Sequence, residues 1–274
     1  MKQFEFIAGA VLIVLIGGAV LLSPWLFPGG GMTMDLAARL TPPFTDAAHV
    51  LGTDTQGRDL LARVVVGGRV SFTVGILSAL GAVVIGTVVG LYAGYYRGLL
   101  DVFLMRFADV QLALPFILLA ITVIAIIGPG LDRIVILTIV AQWVQYARLV
   151  RGSVLSLREA EYVQAARAYG LSTTRIIFGH ILPNAMGPLV ILTTLNVANN
   201  ILLESSLTFL GLGISPLVPS WGGMLAEGRN YIQTAPWITI FPGLAIMLTV
   251  LGLNLLGDWL RDRLDPLGQT RREA

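Results

Sequence analysis

The segment 159-EAEYVQAARAYGLSTTRIIFGHILPN-184 determines how this chain is organised, because it is a long polar stretch between strongly apolar runs. Residues 162–169 are good helix formers, and Gly170 stands where a left-handed residue would end that helix. Ser172 can cap a second helix beginning directly after it, and Pro183 is expected to stop or kink the helix it enters. We therefore predict a helix–turn–helix with small residues at the turn. An ordinary amphipathic loop is the alternative that composition leaves open.

The composition outside this segment is that of a membrane protein. Of 274 residues, 55% are hydrophobic and 12% are charged, and the mean hydropathy is +0.81. These values lie far outside the range of soluble proteins and predict an all-α polytopic membrane protein. The chain has no cysteine, which excludes disulfide and thiol chemistry. The net charge is +2 and the arginines are dispersed along the loops, so a nucleic-acid partner is not expected.

A count of lysines bears on the source of energy. Lys2 is the only lysine in the chain. A phosphate-binding P-loop needs a lysine after its glycine-rich turn, so this chain cannot carry one. If ATP drives an activity of this protein, hydrolysis must take place on another polypeptide.

Hydropathy predicts six membrane-spanning helices, since about 20 apolar residues cross the hydrocarbon core. They cover residues 4–27, 70–95, 110–127, 134–150, 185–203 and 237–256. The first could instead be a cleaved signal peptide, but 23-SPWL-26 offers no small-x-small cleavage site. With the polar loop and both termini inside, 12 Lys and Arg residues are cytoplasmic and 6 are external, which supports this orientation.

Two features of the predicted spans bear on packing and transport. Gly86, Gly90 and Gly94 share one face of the second span and allow another helix to approach closely. Asn196, Asn200 and Glu204 are four apart in and after the fifth span, with Asn199 beside them. Polar groups at membrane depth either line a pathway or bond to other helices. Both interpretations stay open for the asparagines, and we favour a cavity or gate for Glu204.

The first long connector, residues 28–69, contains 49-HVLGTDTQGRD-59. Gly52 and Gly57 allow tight turns, and Asp54 can pair locally with Arg58. A catalytic role for His49 with Asp54 is conceivable. We favour a hydrogen-bonded turn that precedes an interfacial helix with an apolar stripe.

These motifs resemble those of ABC importer permeases. The polar segment is similar to their cytoplasmic EAA loop, with the pattern E-A-A, three residues, Gly, nine residues, Ile-x-Leu-Pro. The matching positions are Ala165, Ala166, Gly170, Leu182 and Pro183. Two positions depart from the pattern, where Gln164 replaces Glu and His180 replaces Ile.

Other segments narrow the resemblance to C-type subunits of the dipeptide, oligopeptide and nickel permeases. Residues 180–184 have the ending associated with peptide permeases, and residues 49–59 resemble the signature H-x-L-G-T-D-x-x-G-R-D. Residues 264–266, Leu-Asp-Pro, resemble the family's ending. Residues 207–213 and 219–225 resemble the segment that folds back at the outer mouth.

The resemblance implies a type I importer bundle in a bacterial or archaeal plasma membrane, with both termini cytoplasmic. Residues 1–69 would form the first helix and an external connector, and residues 70–274 the permease core. It implies four kinds of partner: a second homologous permease subunit, two cytoplasmic ABC ATPases, an extracytoplasmic substrate-binding protein and membrane lipid. The substrate would be a di- or oligopeptide or a nickel chelate.

The resemblance also assigns roles to residues, and it implies no catalytic residue, metal or cofactor. The implied ATPase-coupling residues are Gln164, Ala165, Ala166, Gly170, Leu182 and Pro183. The expected pathway residues are Asn196, Asn199, Asn200 and Glu204, and the expected outer-gate residues are Phe209 and Trp221.

Two other classes are weighed against this interpretation. A stand-alone secondary transporter or channel usually buries several ionisable groups at mid-membrane depth, and here Glu204 is the one clear candidate. A membrane-embedded enzyme would have only His49 and His180 as histidines, on opposite sides in this topology.

Overall fold

The computed structural model describes residues 2–264, which are almost entirely helical apart from connectors and one antiparallel bridge between Thr53 and Asp59. Its helices are α1 Lys2–Leu26, α2 Leu60–Tyr96, α3 Gly98–Ala113, α4 Phe116–Ile127, α5 Leu131–Leu157, α6 Glu161–Ala168, α7 Thr173–Ile176, α8 Leu182–Phe209, α9 Trp221–Gly228 and α10 Trp237–Leu264. Short 3-10 turns cover Leu36–Ala38 and Arg229–Tyr231, and a π turn covers Ile177–Ile181. The family-like ending at Asp265 and Pro266 lies outside the described residues.

Among residues 2–264, five helical stretches are long and apolar enough to cross a membrane, and the number is six if the bent pair of α3 with α4 counts as one span. The five are Gln3–Leu26, Leu60–Tyr96, Leu131–Leu157, Thr173–Phe209 and Trp237–Leu264. The prediction of an all-α polytopic membrane protein is thereby confirmed. Four of these five are longer than hydropathy indicates, because their helices continue into flanking, more polar sequence; the first has the predicted length.

The third predicted span, residues 110–127, is not a straight helix. The chain bends by 83° between α3 and α4, at Leu114 and Pro115. Proline lacks an N–H and disfavours helical geometry at the residue before it, and Leu114 is accordingly extended. The residues between the second and third predicted spans are also helical, since α3 begins at Gly98.

The second predicted span begins ten residues earlier than expected and forms one 37-residue helix, α2. The Asp59 carboxylate caps its start by accepting hydrogen bonds from the backbone N–H groups of Leu61 (3.2 Å) and Ala62 (3.4 Å). The predicted interfacial helix is therefore the first turns of α2. Leu60 from its apolar stripe is fully buried.

The chain forms two compact units, and the division predicted at residue 69 stays a prediction. The first unit comprises residues 2–77, 123–135 and 196–256. Its core contains Ala198, Ile201, Trp221, Ile246 and Leu253.

The second unit comprises residues 78–122, 136–195 and 257–264 of the described chain. Within it, the glycine face of α2 lies directly against α5. A Cβ atom at Gly90 would stand 2.5 Å from the Ala147 carbonyl oxygen, and one at Gly94 would stand 2.8 Å from the Val154 Cβ. The predicted close approach at these glycines is confirmed, because no larger residue fits there without displacing α5.

Candidate functional site

The helix–turn–helix predicted from residues 159–184 forms as expected at its turn. Gly170 has φ +75° directly after α6. The Leu171 N–H donates to the Ala166 carbonyl (3.2 Å) and the Gly170 N–H donates to the Arg167 carbonyl (3.0 Å). This pair of bonds is a Schellman motif, which requires a left-handed residue at the position of Gly170.

The second half of the segment departs from the prediction in two details. Ser172 stands at the N-cap of α7, but its side chain makes no capping hydrogen bond. Pro183 does not stop the helix, because it lies in the first turn of α8, where a missing N–H is tolerated. The hydrogen-bond pattern changes in the π turn that precedes Pro183. There the Leu182 N–H donates to the Ile177 carbonyl, and the Asn184 side-chain amide donates to the His180 carbonyl (2.7 Å).

One side of this segment is buried in the second unit. Val163 and Ala166 of α6 lie in a cluster with Tyr146, Val150 and Val154 of α5. Ile176, Ile177 and Ile181 belong to the same buried cluster, together with Leu91 of α2. The segment is therefore packed as a fixed element on the ends of α2 and α5.

The other side of the segment is exposed and combines small residues with aromatic ones. Gln164, Ala165, Gly170 and Pro183 are exposed, whereas Ala166 is buried and Leu182 is partly buried. A Cβ atom at Gly170 would meet no atom of the chain within 4 Å. We call the surface formed by Gln164, Ala165, Gly170, Tyr162 and Tyr169 the α6 knob.

The two tyrosines of the α6 knob were not among the residues expected at the site. Tyr162 is 43% exposed and Tyr169 is 85% exposed. An exposed aromatic pair seven residues apart in a polar segment is the signal that could have identified them, since aromatic side chains are enriched at protein interfaces. Small residues flanked by exposed aromatics can seat closely in a groove of a partner protein.

Charged side chains stabilise the start of the segment 159–184. The Glu159 carboxylate accepts hydrogen bonds from Arg97 (3.1 Å) and the Gln164 amide (3.2 Å), and it forms an ion pair with Arg158 (3.2 Å). The Gln164 side chain is therefore held by Glu159, although Gln164 is exposed.

The polar face of α8 is mostly buried in the first unit. Asn196, Asn200 and Glu204 are at most 3% exposed, whereas Asn199 is exposed. The Glu204 carboxylate accepts from the hydroxyl groups of Ser71 (2.9 Å), Ser205 (3.3 Å) and Thr208 (2.9 Å).

Asn200 also bonds to another helix, since its side-chain amide donates to the Gly75 carbonyl (3.2 Å). Within this chain, helix–helix bonding therefore accounts for Asn200 and Glu204. The pathway role of the four residues stays a prediction, and Asn199 is the member with an exposed side chain.

The two residues expected at the outer gate have different environments. Trp221 is 1% exposed at the start of α9, where its indole N–H donates to the Val64 carbonyl (2.7 Å) and its ring meets Phe72 edge-on at 6.0 Å. Phe209 is partly buried beneath the Arg229 guanidinium, 5.8 Å from the ring centroid. Trp221 thus packs in the core of the first unit.

Residues 49–59 form a turn held by charge. Buried Asp54 pairs with Arg58 (2.6 Å) and with Arg63, and both arginines also reach Glu227 of α9 (3.1 and 2.7 Å). Burial opposes ionisation of Asp54, but the charges of Arg63 and Arg58 and backbone N–H donors outweigh it and lower the pKa of this carboxyl. The predicted local pairing of Asp54 with Arg58 is confirmed, and these bonds give Asp54 a structural role.

The same turn depends on two left-handed glycines. Gly52 has φ +79° and Gly57 has φ +71°, as the predicted tight turns require. A Cβ atom at Gly57 would overlap the Asp35 carbonyl, so the connector's backbone approaches too closely for any side chain.

Comparison with known proteins adds evidence from whole sequences. Residues 86–267 match the family of binding-protein-dependent transport system inner membrane components. The chain is 44% identical over 260 residues to the dipeptide transport system permease protein DppC of Alkalihalophilus pseudofirmus, covering 95% of this chain and 85% of that protein.

Two further relatives have related names. The glutathione transport system permease protein GsiD of Pectobacterium atrosepticum is 41% identical over 266 residues, covering 97% of this chain and 88% of that protein. The oligopeptide transport system permease protein OppC of Haemophilus influenzae is 38% identical over 260 residues, covering 95% and 84%. These similarities extend over nearly the whole chain.

Proposed function

Because the chain belongs to the family of binding-protein-dependent transport system inner membrane components, we propose that it couples peptide import to a separate ATPase through its α6 knob. The protein is a multi-pass membrane permease of the ABC importer class and not an enzyme, and ATP hydrolysis lies on partner subunits. The coupling proposal rests on one observation. The α6 knob is exposed, whereas the opposite side of α6 is packed in a buried cluster with α5.

The proposed substrates are di- or oligopeptides. The three relatives described above are named for dipeptides, oligopeptides and glutathione, which is itself a tripeptide. This supports peptides over nickel chelates as the transported class.

The proposed assembly contains two permease subunits, two cytoplasmic ATPases and an extracytoplasmic binding protein. This chain would supply half of the translocation pathway, with its termini and residues 159–184 in the cytoplasm. The distribution of arginines supports that orientation.

The proposed mechanism is a rigid-body displacement. Closure of the ATPase dimer on ATP moves its groove, and the α6 knob moves with it. Along the chain, α6 follows α5 after a short link and is followed by α7 and α8. A displacement of α6 therefore reaches α5 on one side and α8 on the other. Such coupling requires an element with two discrete arrangements, which a packed helix in a mobile groove provides.

Within the same proposal, Asn196, Asn199, Asn200 and Glu204 line the pathway and Phe209 with Trp221 form the outer gate. The exposure of Asn199 supports a pathway role most directly. For Glu204, Asn200 and Trp221, the role would be to hold the helices and α9 in the arrangement that lines or closes the pathway.

A bulky residue at Gly170 tests the coupling proposal. Because a Cβ there meets no atom of the chain, the added bulk of Gly170→Leu would be felt mainly by a partner. We expect uptake per ATP hydrolysed to fall about tenfold or more in the reconstituted complex, as a coupling loss of this kind implies.

Gly30→Leu is the matched control, since Gly30 is also left-handed and open but lies in the first connector, away from the α6 knob in sequence. It separates backbone strain at a left-handed position from obstruction of the ATPase groove. Normal coupling in Gly170→Leu, or gradient-driven uptake by the purified chain alone, would contradict the proposal.

A further inference from the structure

The ring of Tyr95, one residue before the end of α2, lies near two arginines. The Arg158 guanidinium carbon is 5.8 Å from the ring centroid and that of Arg167 is 5.7 Å away. Arg158 also donates to the Tyr95 carbonyl (2.5 Å). Resting on the proposed function, we propose that Tyr95 is the positioning residue through which movement of the α6 knob reaches α2.

The two arginines come from the elements that must move together. Arg167 lies on α6 and Arg158 directly follows α5. Tyr95 therefore connects the end of α2 with both α6 and the end of α5, and it packs against the buried cluster that contains Val163 and Ala166. The route to α2 is additional to the covalent route from α6 into α5 and α8.

A second contact set reinforces this connection. Glu159 forms an ion pair with Arg158 and accepts a hydrogen bond from Arg97, and Arg97 directly follows α2. The α2 end is thus held to the link between α5 and α6 by an aromatic contact and by charge. Arg97 and Glu159 are both exposed, so their ion pair is weakened by salt, whereas the Tyr95 ring is half-buried and is the more durable contact.

An aromatic ring is suited to this position because cation–π attraction acts over the ring face and tolerates small shifts. The contact needs the ring and not the hydroxyl. Phenylalanine should therefore preserve it, whereas leucine has similar apolar character but lacks the π face.

The experiment uses the complete complex, with its ATPase subunits and binding protein, in proteoliposomes. Tyr95→Leu should lower the amount of peptide transported per ATP hydrolysed by about fivefold or more, and Tyr95→Phe should stay within about twofold of the wild type. Tyr92→Leu is the matched control, since Tyr92 is one turn earlier and stacks on Tyr96 at 5.9 Å.

A second readout separates this inference from the proposed function. The chain has no cysteine, so Ala165→Cys supplies a single cross-linking site on the α6 knob. Cross-linking to the ATPase should be equal whether Ala165→Cys is introduced alone or together with Tyr95→Leu. Absence of cross-linking with Tyr95 intact would contradict the proposed function itself.

Three results would overturn the role of Tyr95 while leaving the proposed function intact. The first is a wild-type transport-to-hydrolysis ratio in Tyr95→Leu. The second is a loss in Tyr95→Phe as large as that in Tyr95→Leu, and the third is loss of the Ala165→Cys cross-link in Tyr95→Leu, which would indicate a docking role.

Discussion

At Asp54, a fully buried carboxylate is compensated by Arg58 and Arg63, and the arginines in turn are compensated by Glu227. Breaking a buried pair is costly because it leaves an uncompensated charge in a medium of low polarity. The first connector is therefore fixed to α9 by charge, and the indole N–H of Trp237 adds a hydrogen bond to the Thr53 carbonyl (3.0 Å).

We expect Asp54→Asn to destabilise this connector by about 3–5 kcal/mol, because two buried arginines lose a charged partner. Hydrogen exchange of residues 49–59 would measure the loss as faster exchange in the variant. Asp46→Asn is the control, since Asp46 is exposed and pairs only with His49 among the ion pairs of residues 2–264. Equal protection in Asp54→Asn and the wild type would contradict the structural role.

The lowered pKa of Asp54 gives the same contact a pH dependence. Its contribution to stability is present above the ordinary carboxyl pKa of 3.8 and is lost as pH falls below it through the lowered value. The protection of residues 49–59 from hydrogen exchange should therefore be constant near neutral pH and decrease only in acid below about pH 4.

The sequence indicates local contacts at single residues better than distant ones. The left-handed geometry of Gly170 follows from its place after a helix, and the Asp54–Arg58 pair follows from a separation of four residues. Glu227 and the Arg158–Tyr95–Arg167 contact bring together residues far apart in the chain, and no spacing rule indicates them. Ser172 takes the N-cap position that the sequence predicts, but its side chain makes no capping hydrogen bond.

Among the helices, the positions of the apolar spans were predictable, but their ends and the break in the third span were not. Hydropathy marks the apolar part of a span, whereas α2 begins at a capping aspartate and continues through both polar and apolar sequence. The 83° bend at Pro115 was missed because the apolar run continues on its C-terminal side. Length and hydropathy do not report direction, so a broken span has the same profile as a straight one.

The packing of α2 on α5 gives a prediction at the level of helices. Gly90→Ala places a methyl group 2.5 Å from the Ala147 carbonyl oxygen and 2.8 Å from the Val150 Cβ, so α5 must move. We expect a destabilisation of about 1–3 kcal/mol, the usual cost of overpacking. The thermal midpoint of the purified protein in detergent measures it.

Gly152→Ala is the opposite case and serves as the control. Gly152 lies within α5, and a Cβ there meets no atom within 4 Å. Alanine has the higher helix propensity, by about 1 kcal/mol, so this variant should be as stable as the wild type or more stable. If both substitutions have the same effect, close helix approach at Gly90 is not the cause.

In the whole molecule, this chain supplies membrane-spanning helices, and ATP hydrolysis takes place on other polypeptides. No glycine-rich stretch of this sequence is followed by a lysine, so it holds no P-loop, yet it presents a packed helix–turn–helix with small and aromatic residues exposed. Exposed aromatic residues beside small ones are typical of a surface that a partner protein binds. The proposed function therefore requires residues 159–184 to lie on the same side of the membrane as the ATPase.

Orientation is consequently the whole-molecule property on which the proposed function depends, and the absence of cysteine makes it measurable. Ala165→Cys lies on the α6 knob and Ala47→Cys lies in the first connector, and both positions are exposed. In intact cells stripped of any outer barrier, a membrane-impermeant maleimide should label position 47 and not position 165. Position 165 should react only after the membrane is permeabilised. Labelling of position 165 in intact cells would place the α6 knob outside, where no ATPase could reach it.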